Sequence, residues 1–419
     1  MKPQSKGLVS LLLQPDQKQT TASLQLQPAP DQKQTMAPTM KKRKRRARIH
    51  DDLIIGILAR LPLKFIVRFR RLSKYWNALL TSPSFIRTHL NYVKESESNS
   101  MHRLILSSTY TLQSMRYGVC ESCKLNFPRI YPKRRRFLFE ILGSCNGLLC
   151  LVVSRKTLIL WNPSIREFKK LPLSCPLSNN KINKTDTFGF GYDYSTDDYK
   201  LIRFVHVIDG IESSYIYSLK SNTWKRIQGF SVSIKFFEDL ISGTFVNGVL
   251  YWNIIYPGKI IPWILRFNLT SEKFETLSPP NDVNKGHDFA LREIGGCLTL
   301  AQNLEGRSIE MWKLEKDNTK QGWTKFMTIM NLQTLPYPHD LVPICFMKNG
   351  EVLITYGKNV AFLAIGRERS RFELYDPRTS TFRRLQVCGI SRWSQAIPYT
   401  KSLVSPKLLM ACDGMRVGK

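Results

Sequence analysis

Residues 51–90, DDLIIGILARLPLKFIVRFRRLSKYWNALLTSPSFIRTHL, carry more apolar surface than so short a segment can bury by itself. Leu53, Ile54, Ile57, Leu58 and Leu61 fall at offsets 0, 1, 4, 5 and 8, which is one face of a helix and incompatible with an alternating strand. Asp51 and Asp52 stand at its start, where carboxylates cap open amides and complement the helix dipole. Leu61-Pro62 ends the pattern, because proline lacks an amide hydrogen and biases its predecessor away from helix. A second helix follows, with Phe65, Ile66, Phe69 and Leu72 inward and Lys64, Arg68, Arg70, Arg71 and Lys74 outward. Ser73 reads as the N-cap of a third helix carrying Trp76, Leu79 and Leu80. Ser82-Pro83 repeats the cap-then-proline grammar, and Phe85 and Leu90 supply the last apolar anchors. The expectation is three short helices and a fourth stub that must pack on a partner or on the rest of the chain.

The order Asp52-Leu53, Ile57-Leu58, Leu61-Pro62-Leu63, Arg68-Phe69, Lys74, Trp76, Leu79, Pro83 and Phe85 resembles the F-box of plant F-box proteins across the whole motif. Two positions depart from it. Ile49-His50 stands where the family has Leu-Pro ahead of the acidic residues, and Ser73 where many relatives have Cys. The resemblance implies docking onto the Skp-type adaptor of an SCF ubiquitin ligase, and through it onto a cullin scaffold. By the same analogy Leu53, Ile57, Leu58, Leu61, Pro62, Leu63, Phe69 and Trp76 divide between the cassette's own core and the adaptor groove. The alternative is a plain three-helix bundle in which all eight are core. Periodicity explains where apolar residues fall but not this order of Leu-Pro, Arg-Phe and Lys-Xaa-Trp, so docking is the preferred reading.

The chain has 419 residues, 42% of them hydrophobic, ample for a packed core. Its formal net charge is +31. Residues 1–48 hold 11 basic and 2 acidic residues, so most of the excess lies elsewhere. Such a surface favours acidic partners and leaves the fold open. Nine cysteines, an odd number without paired ligand spacings beyond Cys120 to Cys123, read as reduced thiols of a cytosolic or nuclear protein. Half a metal site would need Cys145, Cys150 or a histidine brought close; no metal and no cofactor are expected. No apolar run reaches the roughly 18 residues of a membrane span, and Leu8 to Leu13 is too short for a signal peptide.

Residues 1–48 are rich in Gln, Pro, Thr and Lys, lack aromatics and are expected to be disordered. Pro15-Asp-Gln-Lys-Gln-Thr20 recurs as residues 30–35. Lys41, Lys42, Arg43, Lys44, Arg45, Arg46 and Arg48 form a compact basic run that resembles a nuclear-import signal, the alternative being a solvated arm. Nucleus or cytoplasm, or both, is the expected location.

Beyond a polar linker the texture changes to short apolar or aromatic runs separated by turns, the signature of an all-β domain. Leu160-Trp-Asn-Pro163 with Phe168, Ile216 to Trp224, Leu265 to Phe274, Met311 to Leu314 and Leu374 to Phe382 are five copies of one ending, 46 to 63 residues apart. Most are a strand, a polar turn and an aromatic opening the return strand. Upstream of four of them stand Cys145-Asn-Gly, Val246-Asn-Gly, Ile294-Gly-Gly and Lys348-Asn-Gly, each followed by apolar residues, a hairpin signal. Two hairpins per repeat make a four-stranded blade, and repeats of this length imply a β-propeller. Residues 101–142 with the C-terminal stretch complete a sixth blade. Cys145-Asn-Gly, Trp161-Asn-Pro, Gly189 to Asp193 and Tyr251-Trp252 resemble the F-box-associated, kelch-like domain of plant F-box proteins.

The expected architecture is therefore multidomain: a tail at 1–48, a small all-α F-box at 49–92, a linker at 93–100 and an all-β propeller of about six four-stranded blades at 101–412. No spaced nucleophile and base, paired carboxylates or phosphate loop is legible, and the six histidines stand far apart, so no catalytic residue is assigned. Gly189 and Gly191 read as close backbone packing, and the tryptophans mostly as blade packing. Segments 178–187, 207–213, 281–288 and 335–340 are the candidate target-contacting loops. Two functions remain open. One is the non-catalytic substrate receptor of an SCF-type ligase, acting by proximity on a target of unknown identity. The other is a basic nuclear scaffold that binds nucleic acid through residues 41–48; the lack of aromatics interleaved with Arg and Lys along a groove counts against it.

Overall fold

The computed structural model describes residues 51–95, 102–108, 110–116, 122–128, 139–154, 156–173, 182, 186–207, 210–227, 235–236, 242–256, 262–283, 289–316, 321–356, 371–388 and 395–407. The basic run Lys41 to Arg48 and the duplicated hexapeptide lie outside these residues.

Four helices open the described chain: α1 (Asp51–Ala59), α2 (Leu63–Phe69), α3 (Lys74–Thr81) and α4 (Pro83–Glu95). Their ends follow the capping grammar of the sequence. Ser73 Oγ accepts from the Trp76 amide at 3.2 Å, and Ser82 Oγ accepts from the Phe85 amide at 3.2 Å just ahead of Pro83. Three expectations are corrected. The fourth element is the longest helix, 13 residues rather than a stub, and it crosses residue 92 because its apolar stripe Phe85, Ile86, His89, Leu90 and Val93 continues without a break. Leu72 points to solvent at 52% exposure, because α2 ends at Phe69 and the helical phase that would carry Leu72 inward is lost. Arg70 turns back instead of outward, and its guanidinium donates to the Leu80 carbonyl at 3.1 Å.

The remaining chain forms six antiparallel sheets. Blade 1 contains β1 (His102–Ser107), β2 (Leu112–Arg116) and β3 (Ser122–Lys124), and blade 2 runs from β4 (Phe139–Cys145) through β5 (Leu148–Val153) and β6 (Thr157–Asn162) to β7 (Glu167–Leu171). Blade 3 holds β8 (Thr187–Asp193), β9 (Asp198–Val207), β10 (Gly210–Ser218) and β11 (Thr223–Ile227). In blade 4 the innermost strand is split into β12 (Lys235–Phe236) and β13 (Thr244–Val246), both paired to β14 (Val249–Ile255), with β15 (Trp263–Asn268) and β16 (Lys273–Leu277) outside. Blade 5 is β17 (Phe289–Ile294), β18 (Cys297–Leu304), β19 (Ser308–Lys316) and β20 (Gln321–Ile329); blade 6 is β21 (Leu341–Phe346), β22 (Val352–Tyr356), β23 (Phe372–Asp376) and β24 (Thr381–Leu385). The last strand, β25 (Gln395–Thr400), returns to pair with β1 as the innermost strand of blade 1, so blade 1 is shared between the two ends of the domain.

The repeated sequence ending is explained by its third turn. Asn162, Asn268 and Asp376 each accept, at 2.9 Å, from the amide two residues on, which starts the turn. The aromatic opening the return strand then sits opposite one on the preceding strand: Trp161 and Phe168, Tyr217 and Trp224, Phe267 and Phe274, Tyr375 and Phe382. The first turns of blades 2, 4 and 6 use Asn-Gly; at Asn247-Gly248 φ is +46° and +84°, a left-handed pair that Asn and glycine tolerate.

The core is six apolar clusters, one between each pair of neighbouring blades. Leu148, Cys150 and Val152 enter the cluster shared with blade 3, and Leu149, Leu151 and Val153 the one shared with blade 1. A strand buried on both faces must be apolar throughout, which is why β5 reads LLCLVV and shows no alternation. Close blade contact also fixes Gly189: a Cβ there would collide with the Trp252 ring, whose indole N–H donates to the Phe188 carbonyl at 2.8 Å.

Innermost strands β25, β4, β8, β13, β17 and β21 neighbour one another around the ring. Consecutive antiparallel strands put the first and third turns of every blade at one end of that ring, and the second turns and inter-blade connections at the other. The helices sit at the first-turn end. Arg87 pairs with Asp197 at 2.8 Å in the β8–β9 turn, Lys94 lies over the Tyr194 ring of the same turn, and Ile165 of the β6–β7 turn joins the helical core. After β25 the chain passes beneath the helices. Asn162 Nδ2 donates to the carbonyls of Ser402 (3.1 Å) and Val404 (2.8 Å), which holds Leu403 in the helical core at 1% exposure. Asn162→Ala strands these buried carbonyls and is expected to cost about 1–3 kcal/mol, read as a lowered urea midpoint with unchanged slope.

Candidate adaptor-docking face and loop-bearing face

The eight residues singled out in the cassette separate cleanly. Leu58 and Leu63 are buried at 1% and 6%, and with Ala59, Ile66, Leu80, Phe85 and Leu403 they make the cassette's own core. Leu61, Phe69 and Trp76 pack against that core from its margin. Leu53, Ile57 and Pro62 are exposed. Leu53 and Ile57 lie one turn apart on α1, on the side away from Leu58 and Ala59. Two exposed side chains were missed from sequence: Leu72, at 52%, and Tyr75 on α3, at 53%.

Among the described residues three exposed leucines or isoleucines, Leu53, Ile57 and Leu72, all lie in the cassette; the large exposed apolar side chains of the propeller are Tyr and Met, which carry polar or polarisable ends. Bare aliphatic surface is thus concentrated on the helices. Around it stand Arg60, Lys64, Arg68, Arg71 and Lys74, all exposed and in no ion pair among the described residues. Between residues 60 and 74 there is no acidic residue. The face is apolar at its centre and positive at its border, a combination suited to a groove with an acidic rim.

Behind this face, His89 on α4 is fully buried, its ring stacked on Phe85 with centroids 6.4 Å apart, and neither ring nitrogen has a hydrogen-bond partner. Burial pushes its pKa down to about 4, outweighing the nearby Leu61 carbonyl that favours the protonated ring. The unfolded ring titrates near 6.5, so between those values the unfolded chain binds more protons and stability falls as pH drops. Up to about 3 kcal/mol is at stake. Urea midpoints measured from pH 7.5 to 4 should decline for the wild type, and His89→Leu should remove most of the decline between about pH 6.5 and 4.

The titratable residues that resemble catalytic groups are structural. Asp193, buried completely, accepts from the Ser195 amide at 3.0 Å, from Thr270 Oγ1 at 2.8 Å, and pairs with Lys200 at 3.0 Å. Burial would raise its pKa, but these donors hold the carboxyl far below the usual range. Lys200 also reaches the Leu269 carbonyl at 2.7 Å and Glu272 at 3.1 Å, so the cluster clamps blade 3 to blade 4. Cys145 and Cys150 lie inside the core cluster between blades 2 and 3, and burial pushes the Cys145 thiol up to about 12. Cys123 is exposed and Cys120 lies outside the described residues. No cluster of three or more His, Cys, Asp or Glu suited to a metal occurs among the described residues. No helix among them is long and apolar enough to cross a membrane.

By strand alternation the described strand ends that flank the four candidate loops fall at the end of the ring opposite the helices. Segments 178–187, 281–288 and 335–340 are inter-blade connections, and 207–213 is the second turn of blade 3. The last is shorter than the sequence suggests, since β9 runs to Val207 and β10 begins at Gly210. Residues 178–181, 183–185, 208–209 and 284–288 lie outside the described residues. Segment 335–340 ends in a short 3-10 turn, Pro338–Asp340, whose Pro338 carbonyl accepts from Asn303 at 2.7 Å, and Tyr337 projects beside it at 46% exposure. The tryptophans divide as the sequence suggests: Trp161, Trp252 and Trp312 are core.

Comparison with known proteins decides the family. Residues 92–406 match the F-box associated beta propeller domain, and residues 47–88 match the F-box domain. The chain belongs to the F-box-associated β-propeller family. Its relatives include F-box protein CPR1 of Arabidopsis thaliana, 29% identical over 392 residues that cover 88% of this chain and 90% of the relative. An F-box/kelch-repeat protein of the same plant is 26% identical over 85% of this chain and 95% of its own length. F-box/WD-40 repeat-containing protein 1, also of Arabidopsis thaliana, is 28% identical over 72% and 75%. The F-box therefore precedes a propeller here as in plant F-box proteins, and the pairing is that of a substrate-recognition subunit of the SCF type.

Proposed function

We propose that the F-box of this chain docks onto a Skp-type adaptor, which links it to a cullin scaffold, while the loop-bearing end of the propeller holds a target protein for ubiquitination. The observation that carries this reading is the placement of Leu53, Ile57 and Leu72 in solvent on the helices, while no Leu or Ile of the propeller is exposed among the described residues. Leaving aliphatic side chains in water costs stability, about 25 cal/mol for each Å² that a partner could cover. The propeller stays free to present loops on the far side. Catalysis is then proximity: a bound target raises the local concentration of acceptor lysines, and this chain supplies no acid, base or nucleophile. Import through Lys41, Lys42, Arg43, Lys44, Arg45, Arg46 and Arg48 belongs to the same proposal, with action in the nucleus, the cytoplasm or both.

Capture of a purified Skp-type adaptor tests the docking step. Leu53→Asp with Ile57→Asp is expected to weaken capture by about a hundredfold while the thermal midpoint stays within a few degrees, since both side chains are already solvated. Equal capture by wild type and double variant would refute it. Arg68→Glu with Arg71→Glu should lower the association rate and flatten its dependence on salt between about 50 and 300 mM, measured by stopped flow or surface plasmon resonance.

A further inference from the structure

The axis of the ring encloses a cavity of about 230 Å³. Every innermost strand contributes to its wall, including Gly143 of β4, Phe190 of β8, Thr244 of β13, Arg292 of β17, Ile344 of β21 and Ile397 of β25. Most polar groups here are already committed to the ring. Gln395 exchanges two hydrogen bonds with the Ile141 backbone, at 2.8 and 3.2 Å, Thr244 Oγ1 donates to the Leu291 carbonyl at 3.0 Å, and Ser242 Oγ donates to the Leu142 carbonyl. Arg292 is different. One guanidinium N–H donates to the Leu291 carbonyl at 2.9 Å, and the other donors have no partner among the described residues. No carboxylate forms an ion pair with it there, and burial alone pulls its pKa below the ordinary value. The adjoining Glu293 also lines the cavity but forms no ion pair with Arg292 among the described residues; its carboxyl accepts from the Gly296 amide at 2.7 Å.

Arg292 is half-buried and has no counter-ion among the described residues, and a guanidinium fork is shaped to receive two oxygens at once. We propose that the central channel is a binding site for a small oxyanion, a carboxylate or phosphate group, received by Arg292. Beyond the guanidinium the wall is mixed, Phe190, Ile344 and Ile397 standing beside Ser144 and Tyr356, which suits a small oxyanion with a compact body. The volume is below the roughly 300–1,000 Å³ of sites for drug-sized ligands, which limits the occupant to a small molecule or a single side chain. An acidic side chain of a bound protein and a free metabolite would present the same group. The inference is independent of adaptor docking, because the channel lies within the propeller.

The test uses the full chain at constant ionic strength, with thermal unfolding and calorimetric titration against benzoate, inorganic phosphate, neutral benzyl alcohol and a blocked Gly-Glu-Gly peptide. Benzoate or phosphate should raise the wild-type midpoint in proportion to the logarithm of its concentration, and benzyl alcohol should not. Response to benzoate or phosphate alone assigns the site to a free ligand; response to the peptide as well assigns it to an acidic side chain. Arg292→Met should weaken the response about tenfold or more, while its own anion-free midpoint stays close to wild type, because the side chain makes one hydrogen bond and no ion pair among the described residues. The proposal is overturned if no oxyanion shifts the wild type, a result that needs no variant to fold, or if Arg292→Met responds as the wild type does.

Discussion

The eleven residues from Gln395 to Ser405 hold this molecule together in two senses at once. As β25 they supply the innermost strand that blade 1 lacks, pairing with β1 from His102 to Ser107 and locking onto β4 through Gln395. A ring left open there would expose the edge of β1 and two apolar clusters, those between blades 1 and 2 and between blades 6 and 1. Immediately afterwards the same segment threads beneath the helices, where Asn162 fixes its carbonyls and Leu403 becomes part of the helical core. Closure of the propeller and seating of the F-box therefore share one stretch of chain.

That arrangement gives the two ends of the ring different work. Helix α4 divides its apolar stripe, with Phe85 in the helical core and Leu90 in the cluster between blades 2 and 3. The first three helices are then free to keep Leu53, Ile57 and Leu72 outside. A chain with its F-box buried on its own propeller would have used that surface inward. The long inter-blade connections fall at the far end by topology alone, since consecutive antiparallel strands alternate direction.

Much of this was legible from the residues. Asn-Gly turns, the Asx turns at Asn162, Asn268 and Asp376 and the aromatic pairs that follow them are local chemistry, written in a few adjacent positions. Capping by Ser73 and Ser82 was legible for the same reason. What was hidden depends on contacts far apart in the chain. Nothing in α4 itself says that Leu90 packs on the propeller, because its partners there, Leu142, Cys145 and Leu148 among them, lie far along the chain. Leu72 was misplaced because helical phase was carried past the end of α2. The division of Leu53 and Ile57 from Leu58 and Leu63 was equally unreadable, since apolar periodicity does not say which side of a helix meets a partner. Arg292 had no local signal at all; its isolation follows from six strands converging on an axis.

The shared role of the C-terminal segment is most directly tested by native-state hydrogen exchange of the full chain at rising denaturant, followed peptide by peptide. If closure and seating are one event, amides of α2, α3 and α4 should open at the same denaturant concentration as those of β1 and β25. Helices that exchange at much lower denaturant, while β1 and β25 remain protected, would contradict the account.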